Sequence, residues 1–113
     1  LSGHSKSWSL KVMRIVLATH PIEGAEAFAL QLIDEELARC IQIQTGATSI
    51  YRWQGRIQKE EEAVLMIKTS ERKIADLKAR FLELHPYDVP EFLPLTVDET
   101  NGNIAYLNWI NNL

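Results

Sequence analysis

Two short apolar segments constrain the fold of this chain most. Val12–Thr19 and Ala63–Thr69 consist mainly of aliphatic and β-branched residues, so both faces of each segment are largely apolar. This pattern is typical of a central strand in a sheet. We therefore predict that both segments lie in the middle of one sheet.

Amphipathic segments alternate with these strands and predict helices. The first helix is predicted from about Pro21 to about Ala38, because proline suits a first helical turn and apolar residues then recur at helical spacing. The second is predicted to begin at the N-cap Ser70 and to end before His85. Asn101–Asn103 form a predicted turn before a short C-terminal helix. The predicted buried positions of the three helices are Ala25, Phe28, Ala29, Leu32 and Ile33; Ile74, Leu77, Phe81 and Leu84; and Tyr106, Trp109, Ile110 and Leu113.

A long β-hairpin is predicted between the first two helices. Cys40–Thr45 alternates between polar and apolar residues, as a half-buried strand does. Gly46 interrupts the alternation and predicts a bulge, and Gln54-Gly55 suits a two-residue turn. The charged segment Lys59–Glu62 is predicted to be a solvated part of the return strand.

The order strand, helix, strand, strand, helix, strand predicts an α+β fold. We expect a ferredoxin-like βαββαβ sandwich, with two helices on one face of a four-stranded antiparallel sheet. The first and third strands are then central, and Pro94 suits an edge position for the fourth strand, Glu91–Val97. Since the fourth strand runs antiparallel beside the first, His20 is expected near His85 and Glu91.

The projecting end of the hairpin predicts self-association. It carries Tyr51 and Trp53 and would leave aromatic surface and an unpaired strand edge exposed. Burial against further copies of the chain would cover both, so we predict a homo-oligomer.

Length and charge narrow the class of protein. The chain has 113 residues, and we predict a flexible arm or a cloning remnant at residues 1–9 and a single domain at residues 10–113. A net charge of -3 offers no general attraction to nucleic acid or anionic lipid, and no apolar run is long enough for a membrane span. A single cysteine, Cys40, cannot form an internal disulfide, so a reducing cytoplasm is the simplest compartment.

The predicted convergence of His20, His85 and Glu91 suggests a divalent transition metal site. Two imidazoles and a carboxylate are common ligands of copper(II) and zinc. The alternatives are that His20 caps or packs, that His85 packs or hydrogen-bonds to a neighbour, and that Glu91 pairs with Lys68 or Arg14.

Other reactive or aromatic side chains have structural explanations. Cys40 is expected to be a small buried residue, and Tyr51, Trp53 and Trp109 are expected to pack or to lie in interfaces.

Common catalytic motifs are absent from the sequence. The glycines are scattered rather than grouped in a phosphate loop, and no nucleophile elbow is present. We therefore predict that the protein is not an enzyme.

The sequence resembles the CutA divalent-cation tolerance family. The similarity runs in one register from about residue 12 to the C-terminus, and the motifs T-S-I-Y-x-W-x-G and H-P-Y-x-V-P-E are specific in combination. Four stretches carry it: Thr48–Ile57, Ile67–Thr69, His85–Glu91 and Gly102–Ile110.

The resemblance implies a tight homotrimer whose architecture is similar to that of the PII signalling proteins, with the hairpin wrapping neighbouring subunits. It also implies tolerance and binding of copper and other divalent cations, in the cytoplasm in bacteria.

One departure from the family pattern affects which metal ion would be preferred. Many members carry T-C-P after the first strand, and that cysteine is a proposed copper ligand of the family beside the histidine of H-P-Y and the glutamate of V-P-E. Here the residues are Thr19-His20-Pro21, so imidazole replaces thiolate, which weakens a preference for copper(I) and retains copper(II) or zinc.

Two functions follow as hypotheses. The first is a trimeric, non-enzymatic metal-binding or metal-tolerance protein with His20, His85 and Glu91 as ligands. The second is a PII-like signalling or scaffold trimer that binds a small ligand or a protein in clefts between subunits. Its candidate cleft residues are Tyr51, Trp53, Lys68 and Tyr87.

Overall fold

The computed structural model describes residues 12–113, so the predicted arm at residues 1–9 lies outside the described residues. Four strands and three helices follow one another in the predicted order. Their bounds are β1 Met13–His20, α1 Ala25–Asp34, β2 Cys40–Trp53, β3 Arg56–Ser70, α2 Ile74–Leu84, β4 Phe92–Thr96 and α3 Ile104–Asn111, with a 3-10 turn at Glu71–Lys73 before α2. No helix over residues 12–113 has the length and apolarity that crossing a membrane requires.

The strands form one antiparallel sheet in the order β2-β3-β1-β4. This confirms the predicted ferredoxin-like topology, with the two most apolar strands in the centre and β2 and β4 at the edges. Pro94 lies on β4, opposite Val16 of β1, and β4 pairs with no other strand of residues 12–113, so the missing N–H suits this edge.

The hairpin of β2 and β3 projects from the rest of the molecule. The described residues extend 53 Å along the longest axis but only 29 and 26 Å along the other two. The predicted bulge is confirmed by a register shift between Gln44 and Ala47, where Gly46 has a φ of 88°. The predicted turn is confirmed at Gln54 and Gly55, whose φ values of 52° and 78° match a two-residue hairpin turn.

The helix ends differ from the sequence prediction. Helix α1 is shorter than Pro21–Ala38 because Gly24 has a φ of 87° and therefore cannot belong to the helix. At the other end Glu36 has a φ of 59°, and Leu37 N donates to Leu32 O while Glu36 N donates to Ile33 O, both at 3.0 Å. This is the Schellman pattern, which ends a helix in a left-handed residue. Glycine usually takes that position, so a glutamate there gave no signal in the sequence.

Ser70 does not cap α2 as predicted. It ends β3 in an extended conformation, and its side chain makes no capping hydrogen bond to the turn that follows. Its hydroxyl is buried without a hydrogen-bond partner among the described residues.

The two faces of the sheet are covered unequally. We call the face beneath α1 and α2 the helix-covered face and the other the open face. The helix-covered face carries the main core, which comprises Val16, Ala18, Phe28, Leu32, Ala38, Leu65, Ile67, Leu77 and Phe81.

Helix α3 covers only one end of the open face, where Leu107 and Ile110 pack with Met13. The next row across the open face joins Met66, Leu17 and Leu93, because Leu17 lies opposite both other residues in the sheet. Met66 and Leu93 are exposed there, as is Leu95 in the adjoining row. The described residues therefore leave a substantial apolar surface uncovered.

Candidate functional site

The topology brings His20 and His85 together as predicted. His20 ends β1 and His85 follows α2, and their ring centroids are 5.0 Å apart in an edge-to-face arrangement. Both rings are buried, with exposed fractions of 5% and 7%, and they contact Phe28 at centroid distances of 4.6 and 5.6 Å. Phe81 lies 5.1 Å from His85 and extends the same aromatic cluster. Much of the environment of the two histidines is therefore apolar packing.

Hydrogen bonds occupy both ring nitrogens of His85. Nε2 lies 2.8 Å from Thr19 O, and because a carbonyl only accepts, Nε2 carries the proton and donates. Nδ1 accepts from Tyr87 N at 3.1 Å. Burial lowers the pKa of His85 and the nearby His20 adds to this effect, while the hydrogen bond to Thr19 opposes it. His85 is thus neutral and connects the end of β1 to the loop that follows α2.

His20 also makes a local hydrogen bond. Its Nδ1 lies 2.7 Å from Pro21 O and donates to it. Both histidines therefore do what the structural alternatives predicted, namely pack and hydrogen-bond to neighbouring backbone.

Glu91 lies beside a pocket rather than in the histidine pair. It is half-buried, and its pKa is raised by burial and by the negative charge of Glu62. The partners suggested for it by sequence are engaged elsewhere: Arg14 forms a salt bridge with Glu71, and Lys68 Nζ donates to Tyr106 Oη at 3.1 Å. Over residues 12–113, no group of three or more His, Cys, Asp or Glu side chains is arranged to hold a metal ion.

A cavity of about 810 Å³ lies between the hairpin and the loop after α2, and we call it the hairpin pocket. Three of the four predicted cleft residues line it, namely Tyr51, Trp53 and Tyr87, whereas Lys68 does not. Lys68 lies on β3 near α3, with its ammonium 5.2 Å from the Tyr106 ring centroid. The full lining is Thr19, Ser49, Ile50, Tyr51, Trp53, Gln58, Glu60, Glu62, Pro86, Tyr87, Asp88, Val89 and Glu91.

Glu62 is the pocket residue that the sequence prediction missed. It was assigned to a solvated charged run, but only 5% of its surface is exposed. Tyr87 Oη donates to its Oε2 at 2.9 Å. Burial first, and then this hydrogen bond and the charge of Glu62, raise the pKa of the Tyr87 phenol well above its usual range. Period-two parity would not have found it, because Glu62 shares the parity of the exposed Met66 on the open face of β3.

A second tyrosine and glutamate interact at the outer end of the pocket. A hydrogen bond to Glu60 is the largest cause of a raised pKa at Tyr51, and the charge of Glu62 contributes to it. Glutamates thus contribute to the raised pKa of both phenols in the pocket, and the Tyr87 phenol is in addition held by its hydrogen bond to Glu62.

The remaining predicted packing residues lie near α3. Cys40 is a half-buried free thiol beside the α3 cluster. Arg39 lies over the Trp109 ring at 5.3 Å from its centroid, and Arg39 Nε donates to Trp109 O at 3.1 Å. These contacts hold α3 against the start of β2.

Comparison with known proteins agrees with this fold. Residues 14–113 match the family model described as CutA1 divalent ion tolerance protein. The chain is 44% identical to the divalent-cation tolerance protein CutA of Thermus thermophilus over 97 residues, which are 85% of this chain and 92% of the relative. The solved structure of CutA1 from Oryza sativa superposes with a TM-score of 0.85 at 35% identity and covers 92% of this chain and 94% of that one.

A further solved structure defines the class of architecture. The PII-like protein CutA from Nostoc superposes with a TM-score of 0.82 at 36% identity, covering 86% of this chain and 92% of that one. The fold is therefore that of a PII-like α+β protein. The chain belongs to the CutA1 divalent ion tolerance family.

Proposed function

We propose that this protein is a homotrimer that binds a divalent transition metal ion, copper(II) or zinc, without catalysis. The family membership supports the link to divalent cations, since relatives are named divalent-cation tolerance proteins. Those names describe tolerance rather than a reaction, so the proposal includes no catalytic step. A cytoplasmic location stays a prediction.

The observation that carries the proposal is the neighbouring pair of carboxylates, Glu62 and Glu91. Glu62 is buried, and its charge contributes to the raised pKa of the half-buried Glu91. A bound cation would offset this repulsion and replace the solvation that burial removes. The pair does not complete a metal site by itself, so further ligands must come from water, from a rearranged His85 loop or from a neighbouring subunit.

The ligand set His20, His85 and Glu91 is retained as one version of the proposal. It fits only if His85 gives up a hydrogen bond to Thr19 O or Tyr87 N, because both ring nitrogens are engaged. The carboxylate version, with Glu62 and Glu91, needs no such change. The two versions differ in whether nitrogen coordinates the metal.

The open face supports the trimer. Its exposed residues Met66, Leu93 and Leu95 form an apolar surface that a monomer would leave in water. Both outer edges of the sheet, β2 and β4, are unpaired within residues 12–113. A contact between copies could bury the surface and pair the edges together.

The test is a calorimetric titration of copper(II) and zinc into the metal-free full chain carrying His4→Ala, which removes a histidine outside the described residues. We expect saturable binding with one metal per chain, weakened about tenfold or more by Glu91→Gln, which corresponds to ~1.4 kcal/mol. Glu23→Gln is the matched control, because it removes the same charge at an exposed position. Equal affinity in Glu91→Gln and Glu23→Gln would overturn the proposed site.

Electron paramagnetic resonance of the copper(II) complex then separates the two ligand sets. Nitrogen couplings that disappear in His85→Ala support the His20, His85 and Glu91 set. A signal without nitrogen couplings that changes in Glu62→Gln supports the carboxylate set.

A second candidate function is favoured by the hairpin pocket. Its volume of about 810 Å³ lies within the range of small-molecule sites, and three aromatic residues line it. A PII-like protein that binds a small ligand there is the alternative to metal binding.

A further inference from the structure

The charge of the hairpin pocket restricts its ligand. Among residues 12–113, four carboxylates line it, from Glu60, Glu62, Asp88 and Glu91, whereas no lysine or arginine of this range does. A cavity lined by one sign of charge concentrates ligands of the opposite sign. Phosphorylated or carboxylate-bearing ligands would be repelled, and a cation would be attracted.

The aromatic lining favours an organic cation over a bare metal ion. Tyr51, Trp53 and Tyr87 share the pocket with the carboxylates, and 48% of the Trp53 surface is exposed. An ammonium group within about 6 Å of such a ring is attracted by its π face, and the alkyl part of the ligand gains apolar contact. A metal ion would use neither the rings nor most of the 810 Å³ volume.

Hydrogen bonds hold the pocket groups in place before any ligand arrives. Tyr87 donates through Oη to Glu62 at 2.9 Å and through its backbone N to His85 at 3.1 Å. His85 is in turn bonded to Thr19 O at 2.8 Å, so the backbone of Tyr87 is linked through His85 to the end of β1. Groups that are already ordered lose little conformational entropy when they bind a ligand.

We propose that the hairpin pocket binds a small aliphatic amine through its ammonium groups. Glu62 and Glu91 are the charge partners at the inner end of the pocket, and Trp53 and Tyr87 supply aromatic walls. This inference rests on the second candidate function, the binding of a small ligand in the hairpin pocket. It adds the chemical class of that ligand.

Calorimetry on the full chain tests this with putrescine, 1,4-diaminobutane, and with 1,4-butanediol, which has the same carbon chain without charge. We expect saturable putrescine binding near physiological ionic strength, and binding of the diol at least about tenfold weaker. Glu62→Gln should weaken putrescine binding about tenfold or more, because a charged hydrogen-bond acceptor is lost. Trp53→Leu should weaken it severalfold, because an aromatic wall of the pocket is lost. Glu91→Gln should also weaken it, and because Glu91 is only half-buried this variant guards against a folding defect in the Glu62 variant.

Glu23→Gln is the control for net charge and should leave putrescine affinity unchanged. Equal binding of the diol, or an equal loss in Glu23→Gln and Glu62→Gln, would overturn the inference, because binding would then be apolar or non-specific. Copper(II) and zinc, each titrated separately into the same variants, separate the two proposals. Metal binding without putrescine binding overturns this inference alone, and putrescine binding without binding of either metal supports it while overturning the metal proposal.

Discussion

The two faces of the sheet come from the same strands but have opposite environments. On β3, Leu65 and Ile67 are fully buried under the helices, whereas Met66 between them is 39% exposed on the open face. All three are aliphatic in character, so hydrophobicity does not separate them. What differs is that the part of the chain described by the structure supplies two helices for one face and only α3, at one end, for the other.

The comparison shows that a single chain closes its hydrophobic core on the helix-covered face. On the helix-covered face Phe28 and Phe81 close over the strands. On the open face the apolar row through Leu17 has no equivalent cover within residues 12–113. We therefore expect substitutions on the first face to act on the folding of the chain and those on the second to act on association.

The largest expected effect is at Leu65, compared with its neighbour Met66. Leu65→Ala should lower the free energy of unfolding by ~2–5 kcal/mol, because it leaves a cavity in a closed core. Met66→Ala should cost less, and its cost should depend on protein concentration if a second copy covers it. Chemical denaturation at two protein concentrations measures both. Equal, concentration-independent losses would contradict the distinction between the faces.

A charge on the open face should act on assembly. Leu95→Glu is expected to weaken association by at least about tenfold, because a buried unpaired carboxylate is costly. Leu30→Glu, at a position on α1 that is also exposed, is the matched control and should leave the mass unchanged. Size-exclusion chromatography with light scattering gives the mass. A trimer that persists in Leu95→Glu would place the subunit interface elsewhere.

The smallest expected effect compares two threonine hydroxyls, one buried on β3 and one exposed on β2. Thr69 is fully buried and its hydroxyl donates to Leu37 O at 2.8 Å, whereas Thr48 donates to Glu61 at 3.0 Å on the exposed outer hairpin. Thr69→Val should cost ~1–2 kcal/mol because Leu37 O loses its donor, and Thr48→Val should cost less than ~0.5 kcal/mol. Thermal unfolding of the two variants measures the difference. A loss at Thr48 as large as that at Thr69 would contradict the difference between the two environments.

Several features were predictable because local sequence encodes them directly. The apolar strands, the bulge at Gly46 and the turn at Gln54-Gly55 depend on side-chain pattern and backbone preference. The strand order follows from the succession of elements and from the few ways in which a chain can connect them. Together these were enough to bring His20 and His85 to the same end of the sheet.

Other features depend on neighbours that are distant in sequence. The end of α1 at Glu36 is stabilised by backbone hydrogen bonds rather than by a glycine. Lys68 donates a hydrogen bond to Tyr106, a residue 38 positions away in the sequence. Residue type alone did not indicate either outcome.

The order of strands and helices, the sheet topology and the apolar character of both sheet faces are encoded locally in the amino-acid sequence, because they depend on periodicity and short-range geometry. Two other features emerge only in the folded chain: His85 uses both ring nitrogens internally, and Glu62, within a run of three glutamates, is buried against Tyr87. Hydrogen bonding and desolvation depend on which groups meet across the fold. The charge of a residue in a sequence does not specify what will cover it.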